Sequence, residues 1–168
     1  FHVRALAEVP GAHVAALVSR SPESAGKLAD ETGIKPALCT SLDEALALPG
    51  VDAVIITTPS GAHLEPAAKA AAAGKHVVVE KPLEITAERC DRIIEACDRN
   101  HVQLCTIFPS RFADANKALK DAVDAGRFGR LTLGETTCKW WLSEVSSYPG
   151  GWRRSKGLGG GGAVQTTG

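Results

Sequence analysis

Residues 51–57 (VDAVIIT) form a short apolar run that is continuous rather than alternating. A strand wetted on one face alternates apolar with polar residues, so a continuous run reads as a strand covered on both faces, inside a parallel sheet. Three further runs, at 14–18, 76–79 and 102–107, share this character. Helix signals lie around and between them. Ser21-Pro22 is an N-cap followed by proline at the first helical position, and Gly33 closes that helix. Ser41 with Glu44 makes a capping box for a short helix ending at Pro49-Gly50. A helix over 63–73 is stopped by Gly74, and one over 114–125 by Gly126. Between these two, residues 86–99 read as an amphipathic helix with Cys90, Ile93, Ile94 and Cys97 on one stripe. Strands alternating with helices through short connections build parallel βαβ units with helices on both faces. The predicted fold class is therefore α/β, with a doubly wound parallel sheet.

After Gly129 the texture changes. Residues 131–141 are a long extended run carrying Trp140 and Trp141, and residues 143–162 are rich in Ser, Gly and Pro. We expect a doubly wound domain over residues 1–110 and the beginning of a second domain over 111–168. One extended run and a glycine-rich tail do not bury a sheet face by themselves. The chain also opens on Phe1 and contains no Met, which suggests an N-terminus that is truncated or trimmed.

Composition narrows the partners. With 19 basic and 19 acidic side chains the formal net charge is zero, which argues against a protein that tracks nucleic-acid phosphates. No run approaches the roughly 18 apolar residues of a membrane helix. The five cysteines are odd in number and include no CxxC pair, so neither a disulfide framework nor a zinc site is expected. They read as small buried hydrophobes of a reducing compartment, the cytoplasm, with export left open because the true start is not seen.

In a doubly wound sheet ligands bind at the carboxyl ends of the strands. The residues following the four strands are Ser19-Arg20, then Thr58-Pro59-Ser60-Gly61-Ala62-His63, then Glu80-Lys81-Pro82, then Phe108-Pro109-Ser110-Arg111-Phe112. Polar and cationic groups thus gather at every strand end that faces the crevice. Any one of them is also compatible with ordinary loop chemistry.

The order of these segments resembles the Gfo/Idh/MocA family of nicotinamide-dependent oxidoreductases. The resemblance rests on VDAVIITTP at 51–59, His63, GKHVVVEKP at 74–82, Arg111-Phe112, Gly126-Arg127-Phe128-Gly129, Trp152-Arg153 and Gly160-Gly161-Gly162. It covers essentially the whole chain. It implies a Rossmann-type dinucleotide-binding domain lacking its first strand, plus the start of a second α/β domain with an open antiparallel sheet. The implied activity is hydride transfer between NAD or NADP and a carbinol carbon of a sugar, inositol or related polyol. An NAD-dependent glycosidase of the same family and a non-catalytic nucleotide-binding or sensor protein are the alternatives.

On matching positions the resemblance places Lys81 beside the nicotinamide and the reacting hydroxyl. There an ammonium can stabilise a developing alkoxide, making Lys81 the catalytic candidate and a substrate ligand. Glu80 faces the coenzyme ribose or makes a structural ion pair. Thr58, Pro59, His63 and Pro82 line the coenzyme, with a helix-start histidine bonded to backbone as the other reading of His63. Trp152 and Arg153 reach back to the coenzyme, or Arg153 is a surface arginine. Arg111 and Thr166 are the further substrate-side candidates. Ser19 and Arg20 stand where an NAD-binding fold carries an acid for the ribose 2′-hydroxyl, and no acid occurs before Glu23, so NADP is expected over NAD. No metal is expected.

The family's glycine-rich phosphate loop is expected just before Phe1 and its acid–base histidine or tyrosine just past Gly168. Thr166 stands where the family has Asn or Asp. Glycines 157 and 159–162 read either as a linker or as backbone that packs closely beneath the coenzyme. Self-association through the second domain's sheet is expected from Trp140-Trp141, which otherwise pack in that domain's core.

Overall fold

The computed structural model describes residues 1–137, 139, 141 and 151–161. In chain order its regular elements are α1 (His2–Leu6), β1 (Ala16–Val18), α2 (Pro22–Thr32), β2 (Ala37–Cys39), α3 (Leu42–Leu46), β3 (Ala53–Ile56), α4 (Leu64–Ala72), β4 (His76–Val79), α5 (Ala87–Arg99), β5 (Leu104–Thr106), α6 (Asp114–Asp124) and the short α7 (Lys156–Gly159). Three 3₁₀ turns, Ser60–Ala62, Pro109–Phe112 and Trp152–Arg154, punctuate them.

All described strand pairs are parallel. They form two groups, β1–β2 and β3–β4–β5. Parallel pairing throughout is what a doubly wound Rossmann sheet requires. The strands are shorter than the apolar runs. Ladder bonds nevertheless continue past their ends, from His76 N to Asp52 O and from Ile107 N to Val79 O, both 2.9 Å. Strand β2 has no counterpart in the sequence reading. Its core is only Ala-Leu-Cys, too short to show a period, and it exists because Ala37 N bonds Ala15 O and Ser19 N bonds Cys39 O.

Local chemistry set the helix ends as expected. Ser21, Ser41 and Thr86 each accept the backbone N–H of the third residue onward. The Glu44 carboxylate accepts Thr40 N at 2.9 Å, so the return half of the capping box reaches one residue further back. Gly33 ends α2 at φ 70°, in the left-handed region where glycine is free of the Cβ penalty.

The core lies between β3–β4 and the α4–α5 pair. Val77 and Val79 point into it from β4, and Ile93 and Cys97 from α5. Ala67, Ala70 and Ala71 on α4 are small enough to let the helices close on the sheet. Ile94, expected on the buried stripe, is 42% exposed, and Ala96 takes its place, because Ile94 sits about 100° round the helix from Ile93. Cys39 and Cys97 are buried as expected, while Cys105 is exposed.

Beyond β5 the chain contributes little to this core. Helix α6 has no buried residue. The extended run at 131–141 forms no strand among its described residues, since a strand needs a ladder partner and none is paired with it. Trp141 is 93% exposed. Trp140 lies outside the described residues. No described helix is long and apolar enough to cross a membrane.

Ile93 is fully buried at the centre of the α5 face. Ile93→Ala is expected to lower stability by about 3 kcal/mol, from lost transfer energy and a residual cavity. Urea denaturation of the complete protein measures this, with a lower midpoint at unchanged slope as the expected result.

Candidate active site

Because β3, β4 and β5 are parallel and in register, their carboxyl ends lie on one edge, and the loops that follow share it. A cleft of about 290 Å³ opens there, lined by Thr57, Thr58, Ser60, Glu80, Lys81, Pro82, Trp152 and Arg153. It joins the loop after β3, the loop after β4 and a segment more than 60 residues downstream.

Each wall is held from behind. Thr58 Oγ1 donates to Ala62 O (2.9 Å), which curls the loop after β3 into its 3₁₀ turn. The Glu80 carboxylate accepts Lys81 N (2.9 Å) with one oxygen and the His2 ring (2.9 Å) with the other, tying α1 to the cleft. The peptide bond between Lys81 and Pro82 is cis. Trp152 and Arg153 arrive through backbone packing. A Cβ on Gly61 would collide with Gly157 O and come within 2.9 Å of Leu158 Cα, and one on Gly159 would lie 2.7 Å from Arg153 O. These glycines let α7 dock on the turn after β3. The described part of the glycine-rich stretch packs on the turn at 60–62 instead of standing clear as a linker. The Arg153 guanidinium stacks 4.4 Å from the centre of the Trp152 ring.

Of the residues singled out from sequence, the cleft gathers Thr58, Glu80, Lys81, Pro82, Trp152 and Arg153. Pro59 opens the 3₁₀ turn behind Thr58. His63 is 1% exposed and does not line the cleft. Its Nε2 lies 2.9 Å from Thr58 O, and its Nδ1 3.0 Å from Pro82 O and 3.1 Å from Leu83 O, so it bridges the two cleft loops through their backbones. Arg111 is exposed and stands 5.9 Å from the Phe108 ring centre, away from the lining. Ser19 and Arg20 follow β1, at the end of the other strand group, where Ser19 Oγ accepts Ser21 N. Of the candidate cations Arg20, Lys81, Arg111 and Arg153, Lys81 and Arg153 meet in the cleft. Thr166 and Gly162 lie outside the described residues.

Sequence reasoning missed Glu84 and Arg89. The Glu84 side chain is fully buried, and its carboxylate accepts Leu64 N (3.3 Å), Ile85 N (2.7 Å) and Arg89 Nη2 (2.9 Å). Burial alone would raise its pKa. The Arg89 hydrogen bond, with the Ile85 and Leu64 N–H groups, outweighs burial and holds the carboxyl below its usual range. The same pairing raises the Arg89 guanidinium above its ordinary value. The available signal was a carboxylate between Leu83 and Ile85, an unusual place for a charge unless it is paired. Among the described residues no cluster of His, Cys, Asp or Glu could hold a metal ion.

Comparison with known proteins places this geometry. Residues 1–108 match the model of the GFO_IDH_MocA family, described as an oxidoreductase family with an NAD-binding Rossmann fold. The chain is 34% identical over 154 residues to a 1,5-anhydro-D-fructose reductase of Ensifer adhaerens, covering 92% of this chain and 45% of that protein. It is 31% identical to a D-xylose 1-dehydrogenase [NADP(+)] of Haloarcula marismortui, covering 90% and 43%. Among solved structures it resembles the WlbA dehydrogenase of Bordetella pertussis in complex with NADH and UDP-GlcNAcA, with a TM-score of 0.70 at 33% identity, covering 77% of this chain and 40% of that one. The chain spans less than half the length of the curated relatives it matches.

The Gly61 contact yields a directional test. Gly61→Ala must displace backbone and is expected to release the 152–159 segment, whereas Gly157→Ala meets only Ser155 Oγ at 3.8 Å. Trypsin cleavage after Arg153 is expected to accelerate several-fold in the first variant and to stay unchanged in the second.

Proposed function

The chain belongs to the Gfo/Idh/MocA family of oxidoreductases with an NAD-binding Rossmann fold, and we propose that its protein transfers a hydride between a nicotinamide coenzyme and a carbinol carbon of a sugar, inositol or related polyol. The observation that carries this reading is the meeting of Lys81 and Arg153 in one cleft at the carboxyl ends of β3 and β4. That edge is where doubly wound folds bind their ligands.

The donor set suits the coenzyme. The cleft offers two cations, three hydroxyls and an aromatic ring. Its volume, near the lower end of the roughly 300–1,000 Å³ of ligand sites, suits one end of a dinucleotide rather than the whole. Thr58, Pro82, Trp152 and Arg153 would hold the nicotinamide end, with Glu80 on the ribose and Pro59 and His63 supporting that wall from behind. When bound, the nicotinamide supplies the two-electron redox chemistry.

The chain's own residues do the rest. Lys81 directs its ammonium at the substrate oxygen, where it favours the alkoxide left when the hydroxyl proton departs. Glu80, already bonded to Lys81 N, holds that backbone in place. Arg153, braced on Trp152, presents a guanidinium able to take a phosphate oxygen. Arg111 and Thr166 are proposed on the substrate side. Self-association through residues 111–168 is proposed as well, supported by exposed Leu133 and Trp141.

We propose NADP as the preferred coenzyme. The turn after β1 carries exposed Arg20 and no acid before Glu23, whose carboxylate accepts Ser21 Oγ (2.9 Å). An arginine there accepts a 2′-phosphate where an acid would repel it. NADPH is expected to bind the complete protein about 10-fold or more tightly than NADH, and Arg20→Asp to remove the difference. Equal or tighter NADH binding sinks the preference. In turnover with a panel of sugars and polyols, Lys81→Ala is expected to lower kcat about 100-fold or more. An unchanged rate removes Lys81 from the chemistry.

A further inference from the structure

The Glu84–Arg89 pair stands outside the cleft, yet it bonds both loops that build the cleft and the helices that follow them. Glu84 lies three residues beyond Lys81 in the loop after β4. Its carboxylate crosses to the other loop by accepting the N–H of Leu64, the first residue of α4. Arg89, on the first turn of α5, donates through the same Nη2 to Glu84 Oε1 (2.9 Å), to Gly61 O (3.3 Å) and to the Glu65 carboxylate (3.2 and 3.3 Å). Gly61 is the residue on whose backbone Gly157 rests. The contacts therefore run from the lysine loop through Glu84 and Arg89 to Gly61, and through Gly61 to the segment bearing Trp152 and Arg153. His63 makes a second, parallel link between the same loops.

A general stabiliser would not need this chemistry. Taking a carboxylate wholly out of water is costly, and well-packed apolar side chains in place of a buried ion pair are commonly as stable or more so. Such a pair supplies direction instead. The carboxylate accepts from three donors at fixed angles, and the planar guanidinium holds a main-chain oxygen of the opposite loop.

We infer that Glu84 and Arg89 are positioning residues. They set the spacing of the two cleft walls, and through Gly61 the seat of the Trp152–Arg153 segment, so that Lys81 faces its reaction partners at one fixed distance. The catalytic part of this inference rests on the proposed hydride transfer; the loop-spacing part does not.

The test uses Arg89→Lys in the complete protein. It keeps a positive charge beside buried Glu84 but replaces the guanidinium whose Nη2 bonds Gly61 O with an ammonium. Glu84→Gln, which keeps the shape and removes the charge, is the second variant. Hydrogen exchange is read at Leu64 and Ile85, whose amides bond Glu84, and at Val77 and Ile107, whose amides bond the β4–β5 ladder. The expected result is exchange about 10-fold or more faster at the first two amides with the ladder amides unchanged, because the opening is local. In turnover, kcat is expected to fall about 10-fold while the substrate KM stays within about twofold, the pattern of lost transition-state alignment. Unchanged exchange at Leu64 and Ile85, or protection lost equally across the ladder, overturns the inference, as does a full kcat in both variants. If the unmodified protein binds neither NADH nor NADPH, the proposed function fails, and the exchange pattern alone decides whether the pair spaces the loops.

Discussion

A carboxylate removed from water must find its hydrogen bonds inside the protein, and the cleft is organised around one that does. Glu84 is fully buried, and its two oxygens take an N–H from its own loop, an N–H from the start of α4 and the Arg89 guanidinium. Leaving any of these unmade would strand a charge in a medium that solvates it poorly. The loops after β3 and β4 are therefore not independent. The Lys81 wall and the Thr58 wall share one buried acceptor, and His63 joins them again a few residues away.

The third wall depends on the absence of side chains. Trp152 and Arg153 reach the cleft because α7 lies against the turn at 60–62, and that approach has no room for a Cβ on Gly61. The cleft is thus closed by a polar network on one side and by bare backbone on the other. Its rigid support is the α4–α5 face, where three fully buried alanines let helix and sheet close together. The cation delivered by the far segment and the one delivered by β4 meet only because both supports hold.

Much of the fold was legible in the residues. Continuous apolar runs announced β3 and β4, and the caps Ser21 and Ser41 announced helix starts, because each is decided by residues within a turn or two of one another. The strand ends marked the side of the sheet on which the cleft lies. Where local pattern was thin, the reading failed. Strand β2 is three residues long and owes its existence to β1. The run at 131–141 has strand-like residues but no paired partner among the described residues, so its propensity is not realised as a strand. The cations Arg20 and Arg111 follow strands as expected, yet they stay out of the lining.

The sequence by itself determined the alternation of strands and helices, the parallel sheet, the edge that carries the site, and the strong candidacy of Glu80-Lys81-Pro82. The first three follow from periodicity, capping and order along the chain, which are short-range properties; the last is what the resemblance to the family implies. Tertiary structure alone decided which groups Glu84, a charge flanked by Leu83 and Ile85, accepts from, one of them 20 residues away. It decided that His63 braces loops from behind the cleft, and that Gly61 is where a segment nearly 100 residues on comes to rest. Burial gives a charged or a missing side chain its meaning, and burial is set by what the rest of the chain packs against it.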